Sequence, residues 1–337
     1  MAFLQPILAS NALIESKDVP KIAVFVGATD GIGKATLKAL VLKRSPIKIY
    51  VVGRNEASHR PMLEDLTKSN PFATIVFLEG QISLVAEAQR LASLIAAQED
   101  SVDLLFMSSG YLPFTGPQAT SEGLETSLVV SYYSHIAFTL RLLPQLRRAS
   151  ATKPARVVNI LAAGQESTDL LLNDLGLNDP GNFSVPAYAR HAATFVTVTL
   201  KRIAEDKDNS GIVFIHAHPG VVSTDLFMKS WAGKFDPASP SPMPARNFAK
   251  YTPEEAGERS LYLATSAEYG GEGVAVQNGR QSAETVEHGS KGALFCVDDK
   301  LVFLQPDTLL NELQGSGAQE AIWKHTVQIL EAHAGAE

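Results

Sequence analysis

Apolar runs rich in β-branched residues alternate, over the first two thirds of the chain, with stretches of helical spacing. KIAVFVG (21–27) reads as a buried strand, and in GIGKATLKALVLK (31–43) Ile32, Leu37, Leu40 and Val41 recur at the spacing of one helical face. IKIYVVG (47–53) and ATIVFLEG (73–80) give a second and a third strand. Val85, Leu91, Leu94 and Ile95 mark a helix between 84 and 98, and VDLLFMSSG (102–110) is a fourth strand that runs into a small-residue turn. A long helical region follows at about 121–148, then a strand in ARVVNILAAG (155–164), a helix over 184–206 and a sixth strand in GIVFIHAHPG (211–220). This alternation predicts an α/β fold: a single Rossmann-type, doubly wound parallel sheet with right-handed crossovers and helices on both faces.

Three stretches fall outside that rhythm. Residues 1–20 carry an apolar patch with no basic residue ahead of it, which predicts a leader lying over the fold and not a signal peptide. FDPASPSPMPARNFAKYTP (235–253) holds five prolines, too many for a regular element. It predicts a proline-rich lid over 225–253 within a core of 21–268. Phe227, Met228 and Trp231 stand at its start and suggest a bulky, apolar ligand. Beyond 268 the chain turns glycine-rich, then gives two short strand patterns in GALFCVDD and KLVFLQP and a helix at about 316–333. The range 269–337 is thus predicted to be a C-terminal extension packed on the core.

Composition narrows the classes. The 337 residues are 45% hydrophobic and 19% charged, as in a soluble domain with a sizeable core. The net charge of −7 opposes nucleic-acid binding, which needs concentrated Lys and Arg. No apolar run reaches the ~20 residues of a membrane span. One cysteine, Cys296, excludes an internal disulfide and fits a reducing, cytoplasmic compartment. No Cys/His cluster has metal-ligand spacing, so no metal is expected, and there is no G-x-S-x-G elbow.

The chemistry begins at VGATDGIGKATL, which leaves a strand and opens a helix. Gly27, Gly31 and Gly33 permit a sharp turn and a close approach of backbone N–H groups to a pyrophosphate, with the helix N-terminus adding partial positive charge. Thr29, Asp30 and Ile32 share that loop. The spacing resembles the TGxxxGIG motif of the short-chain dehydrogenase/reductase family, with Val26 at the threonine position. SSG (108–110; Ser108, Ser109, Gly110) stands where the family has NNAG. HPGVV followed by Thr224 (with Pro219, Gly220 and Val222) resembles the segment that closes over the nicotinamide. The resemblance covers about 250 residues. Arg54, after the second strand, is where members that prefer NADP carry a base able to pair with the 2′-phosphate, so NADP(H) is the expected cofactor. Gln81 replaces the family's usual aspartate near the adenine and can still donate and accept hydrogen bonds. NDLGLND and AIWKHTVQIL resemble fungal members, many of them encoded beside secondary-metabolite pathways.

The family's reductases use Asn, Ser, Tyr and Lys. The resemblance places Tyr188 at the tyrosine, but Ser131 at the asparagine, Ala162 at the serine and Ala192 at the lysine. The 26-residue interval from Ala162 to Tyr188 matches the retinol-dehydrogenase kind, which carries an inserted loop. No lysine stands between Lys153 and Lys201, so none can slide into the missing role. His191, three residues after Tyr188 on the same helical face, is a candidate proton relay, as is His135, one turn after Ser131; each could equally be a structural histidine. Ser108 and Ser109 are turn residues that could supply a hydroxyl, and His216 and His218 read as structural.

The leading expectation is an NADP(H)-dependent oxidoreductase that reduces one carbonyl or enone, because hydride transfer needs orientation more than it needs the full tetrad. Two alternatives stay open: a non-redox cyclase, isomerase or dehydratase on the same scaffold, and an NADP(H)-binding pseudoenzyme. A homo-oligomer through the helices around 121–148 and 184–206 is possible, unless the C-terminal segment covers them.

Overall fold

The computed structural model describes residues 3–226, 230, 249–277, 279–289 and 293–334. Most of the expected lid, with Phe227, Met228 and Trp231, lies outside the described residues. The chain forms an eight-stranded sheet in the order β3-β2-β1-β4-β5-β6-β7-β8. The strands are β1 (Ile22–Val26), β2 (Ile47–Gly53), β3 (Ala73–Glu79), β4 (Leu104–Met107), β5 (Ala155–Ile160), β6 (Ile212–Ala217), β7 (Leu294–Val297) and β8 (Phe303–Leu304). All neighbours pair in parallel except β8, which runs antiparallel to β7. The order reverses between β1 and β4, and a crevice at that point, outside the carboxyl ends of the strands, is where such sheets take a ligand.

Burial on both faces explains why β1, β4, β5 and β6 read as nearly continuous apolar runs. Alternate residues serve opposite layers. Val24, Leu105, Val157 and Phe214 pack in one layer with α4 (Val85–Gln98), α6 (Ser134–Ser150) and α7 (Val185–Ala204). Phe25, Phe106, Val158 and Ile215 pack in the other, with α2 (Gly31–Val41) and α8 (Pro253–Thr265). A short helical turn, α5 (Thr126–Leu128), and a π-helical turn (Val129–Tyr133) lead into α6.

Four helices go beyond the sequence reading. α1 (Leu4–Ala12) sits inside the expected leader, where Asn11 Nδ2 donates to the backbone oxygen of Glu258 at 2.8 Å and to its carboxylate at 2.7 Å. α3 (Glu56–Ser69) carries an interior proline, Pro61, and buries only Leu66 fully, so neither propensity nor periodicity announces it. α8 begins where the proline-rich stretch ends: Thr252 and Glu255 form a reciprocal capping box with Pro253 in the first turn. α9 (Asp307–Gly315) precedes the last helix, α10 (Ala318–Ala332). The region after 268 also supplies β7 and β8, so it completes the sheet as well as packing against it.

α8 lies close on α2: a Cβ built on Gly257 would stand 2.8 Å from Ala35, which no side chain permits. Because α2 carries the glycine loop, the α8 cap supports that loop indirectly. Thr252→Ala removes the cap and is expected to lower unfolding stability by about 1 kcal/mol. The check is a lower urea midpoint at constant m-value.

Candidate active site

The glycine loop is packed closely on neighbouring backbone. A Cβ on Gly27 (φ +89°) would lie 2.4 Å from the amide nitrogen of Ser109, and one on Gly33 would lie 2.4 Å from the carbonyl of Gly27. The β1–α2 turn is therefore pressed against the exit of β4, with the Ser108 hydroxyl donating to Gly27 O at 3.2 Å. Asp30 is the N-cap of α2, and its carboxylate accepts the Gly31 N–H at 2.8 Å. The amides of Ile32 and Gly33, in the first turn of α2, have no intrahelical acceptor and are free to donate to a phosphate. Thr224 closes the cradle from the other side, since a Cβ on Gly31 would meet its Cγ2 at 3.1 Å.

The segment carrying Pro219, Gly220 and Val222 is braced from below. Arg259 of α8 donates to Pro219 O at 2.9 Å and to Asp299 O, and Val222 pairs with Tyr251 in an isolated parallel bridge. At the other end of the crevice Gly53 has no room for a side chain against Thr29 and Phe77. Arg54 follows it, exposed, and among the described residues it makes no ion pair. Gln81 is exposed beyond β3, its amide nitrogen on Ser83 Oγ at 2.7 Å and its oxygen left to accept. Gly110 has open space where a side chain would stand. These residues fit a dinucleotide: a cradle too tight for any Cβ, free helix-start amides and a lone exposed guanidinium at the ribose end.

Beside the cradle two hydroxyls meet. Tyr188, in the first turn of α7, lies 2.7 Å from Ser131 Oγ on the π-helical turn, and both are buried. Such turns insert a residue into the helical register and often mark functional positions. Burial pushes the Tyr188 phenol well above its usual range; the Ser131 hydroxyl offsets part of this, and the charge of Glu125 adds to it. Ala192 stands one turn along α7, so the face that could have carried an ammonium is methyl only.

The structure takes the two histidines to different places. His191 Nε2 accepts the backbone N–H of Leu171 at 3.0 Å and its ring packs on Phe195, so it anchors the inserted loop between β5 and α7. His135 lies between Ser109 Oγ at 2.6 Å from Nε2 and Asn159 Oδ1 at 3.2 Å from Nδ1. Burial lowers both pKa values to about 4, so both rings are neutral near pH 7. Asn159 went unnoticed in the sequence, although an amide inside the apolar run ARVVNIL is a visible sign of a buried polar partner.

Where the family's serine would stand, Ala162 gives its N–H to His216 Nε2 at 3.1 Å. His216 Nδ1 is 2.8 Å from Thr197 Oγ1, which lies 2.5 Å from the buried carboxylate of Glu166. Glu166, His216 and Cys296 are near enough to share an ion. A metal on Nδ1, however, would need a lone pair on a ring whose Nε2 lone pair is already taken by Ala162, which a neutral imidazole does not have. The oriented chain Nδ1–H to Thr197 and Thr197 O–H to Glu166 satisfies every member without a metal. His218 lies beside it at the start of the Pro219–Gly220 segment, its pKa lowered by burial.

The sequence and the fold have clear relatives. Residues 21–169 match the family described as short chain dehydrogenase. The NmrA-like family domain-containing oxidoreductase notO of an Aspergillus species is 34% identical over 100% of this chain and 97% of its own. The short-chain dehydrogenase/reductase SAT2 of Stachybotrys chartarum is 26% identical over 92% of each chain. Among solved structures, the RhlG/NADP active-site complex of Pseudomonas aeruginosa superposes with a TM-score of 0.54 at 18% identity, covering 83% of this chain and 95% of that one. The chain belongs to the short-chain dehydrogenase/reductase family. Among the described residues no helix is long and apolar enough to cross a membrane.

The buried histidines set a pH dependence. His135 and His191 titrate near 4 and His216 near 3 in the folded chain, all below the unfolded value of about 6.5. Between those values the unfolded state binds more protons, so stability is lost as pH falls from about 6.5 to about 4. Urea midpoints across that range should decline, and less steeply in His135→Asn.

Proposed function

We propose that this protein is an NADP(H)-dependent reductase acting on one carbonyl or enone of a bulky, apolar metabolite, with Tyr188 as proton donor and Ser131 in place of the usual ammonium. The observation that carries this reading is the 2.7 Å contact between the two hydroxyls, buried beside a cradle that still fits a dinucleotide. When bound, the nicotinamide supplies hydride. The chain's residues do the remainder: the loop amides and Thr224 hold the pyrophosphate, and Arg54 holds the 2′-phosphate.

With Ser131 donating to the phenol oxygen, the Tyr188 proton is free to point at a substrate oxygen. As that proton leaves, the Ser131 O–H stabilises the phenolate. A neutral hydroxyl does this less well than an ammonium, so the substrate must be an activated or conjugated carbonyl. The similarity to fungal oxidoreductases supports a place in secondary metabolism.

A non-redox reading draws on the same phenol. Burial and the nearby Glu125 hold Tyr188 protonated, which suits a donor that polarises an oxyanion without giving up its proton. Transfer of deuterium from labelled NADPH to the carbinol carbon of trifluoroacetophenone, an activated ketone whose new C–D bond does not exchange, separates the two: transfer supports the reductase, and cofactor binding without transfer to this or any apolar enone favours the alternative. Phenanthrenequinone, whose reduced form loses the label on aromatising, serves only for following NADPH oxidation.

Tyr188→Phe is expected to lower quinone-dependent NADPH oxidation by about a hundredfold while leaving NADPH affinity, read by fluorescence titration, unchanged. Unaltered turnover would remove Tyr188 from the mechanism. Arg54→Ala should weaken NADPH by about tenfold, the loss of one charge-assisted contact, with NADH unaffected. An equal loss for both cofactors would deny Arg54 a role at the 2′-phosphate.

A further inference from the structure

Ser131 sits in a run of three residues that each bind something different. Ser131 holds Tyr188 on α7. Tyr132 places its hydroxyl 2.7 Å from Thr199, also on α7, and 2.6 Å from Thr326 on α10. Tyr133 reaches His325 Nε2, on α10, at 2.7 Å. Tyr132, Tyr133 and Thr326 are fully or almost fully buried, and the two bonds of Tyr132 lie away from solvent.

The direction of the middle rung follows from its end. Thr326 Oγ1 lies 2.7 Å from Ile322 O, one helical turn back, and a carbonyl only accepts. Thr326 therefore spends its proton there and accepts from Tyr132. Tyr132 has then given its only proton, so it accepts from Thr199. The sequence Thr199 to Tyr132 to Thr326 to Ile322 is an oriented chain from α7, through the π-helical turn, into the C-terminal helix. Tyr188 and Thr199 are eleven residues apart on α7, close to three helical turns, and so lie on one face. The turn is thus pinned to α7 at two points and to α10 at two.

We propose that the C-terminal helix is a positioning element of the active site, in which Thr326 and His325 clamp Tyr132 and Tyr133 so that Ser131 remains on the Tyr188 hydroxyl. A π-helical turn has a backbone register that a regular helix would readily replace, and a slip of one residue would carry Ser131 off Tyr188. The clamp fixes that register from α10. None of its four residues belongs to the glycine cradle or to the hydroxyl pair. The proposal rests on the reading of Tyr188 and Ser131 as the donor pair, but it is tested without turnover.

The experiment labels tyrosine at Cζ with the NMR-active carbon isotope and follows the full chain. The Tyr188 resonance is identified by its loss in Tyr188→Phe, and Ser131→Ala shows where it moves when the partner hydroxyl is gone. Tyr132→Phe and Thr326→Val, each keeping shape and losing only hydroxyl bonds, are expected to shift the Tyr188 resonance toward its Ser131→Ala position. Glu320→Gln is the control: it breaks the exposed ion pair of α10 with Arg202, 2.6 Å, and is expected to leave the resonance where the wild type has it. A Tyr188 resonance unmoved in folded Thr326→Val and Tyr132→Phe overturns the proposal, as does an equal shift in Glu320→Gln. If Tyr132→Phe does not fold, Thr326→Val decides alone. Deuterium transfer from NADPH is scored separately, so a failed reductase reading leaves this result legible.

Discussion

The contact on which the site depends is between two pieces of backbone. Gly27 and Ser109 approach so closely that neither a methyl group nor a different turn fits between them. That approach does more than shape a phosphate cradle. It fixes Ser109, whose hydroxyl reaches both Val130 O at 3.1 Å and His135. Val130 lies in the π-helical turn beside Ser131, and Ser131 reaches Tyr188. The glycine that admits the cofactor and the hydroxyl that meets the phenol are therefore linked by a short series of contacts, all made where the strand order reverses.

The chemistry left at this site is neutral. Where the family resemblance leads one to expect an ammonium, the proposed donor pair has a buried serine hydroxyl on the phenol. Hydrogen bonds between neutral groups are weaker than charge-assisted ones, but burial keeps water from competing for them. Behind the missing serine, the buried Glu166, Thr197 and His216 hold the Ala162 amide, so the loop leaving β5 keeps a defined position although its side chain is a methyl. At Ala162 a methyl side chain thus stands on a backbone amide held in place by His216.

Much of this was legible beforehand. The six parallel strands of the core, the glycine loop and the helix bearing Tyr188 follow from periodicity, because strands buried on both faces have little choice of residue. α3 did not, since a polar surface helix with Pro61 inside it has no apolar stripe to read. α8 was hidden by its own neighbourhood: Thr252, Pro253 and Glu255 spell a helix start, but they end a run of prolines that reads as a loop. In the site, the family resemblance pointed to Tyr188, to Ser131 and to Ala192 at the lysine position. That the hydroxyls of Ser131 and Tyr188 meet was not legible, because the two are 57 residues apart in sequence and the π-helical turn that aims Ser131 leaves no signature. His191 lay on the right helical face, yet the inserted loop had a prior use for its ring.

The C-terminal helix has one more consequence, which concerns time. A chain is made from its amino end, and domains begin to fold as they emerge. The cradle at Gly27 and both helices of the hydroxyl pair can form while Thr326 and His325 have yet to be joined. Those two residues are made well after α7, so the clamp on Tyr132 and Tyr133 closes later than the cradle. The cradle would thus form before the Ser131–Tyr188 pair is clamped.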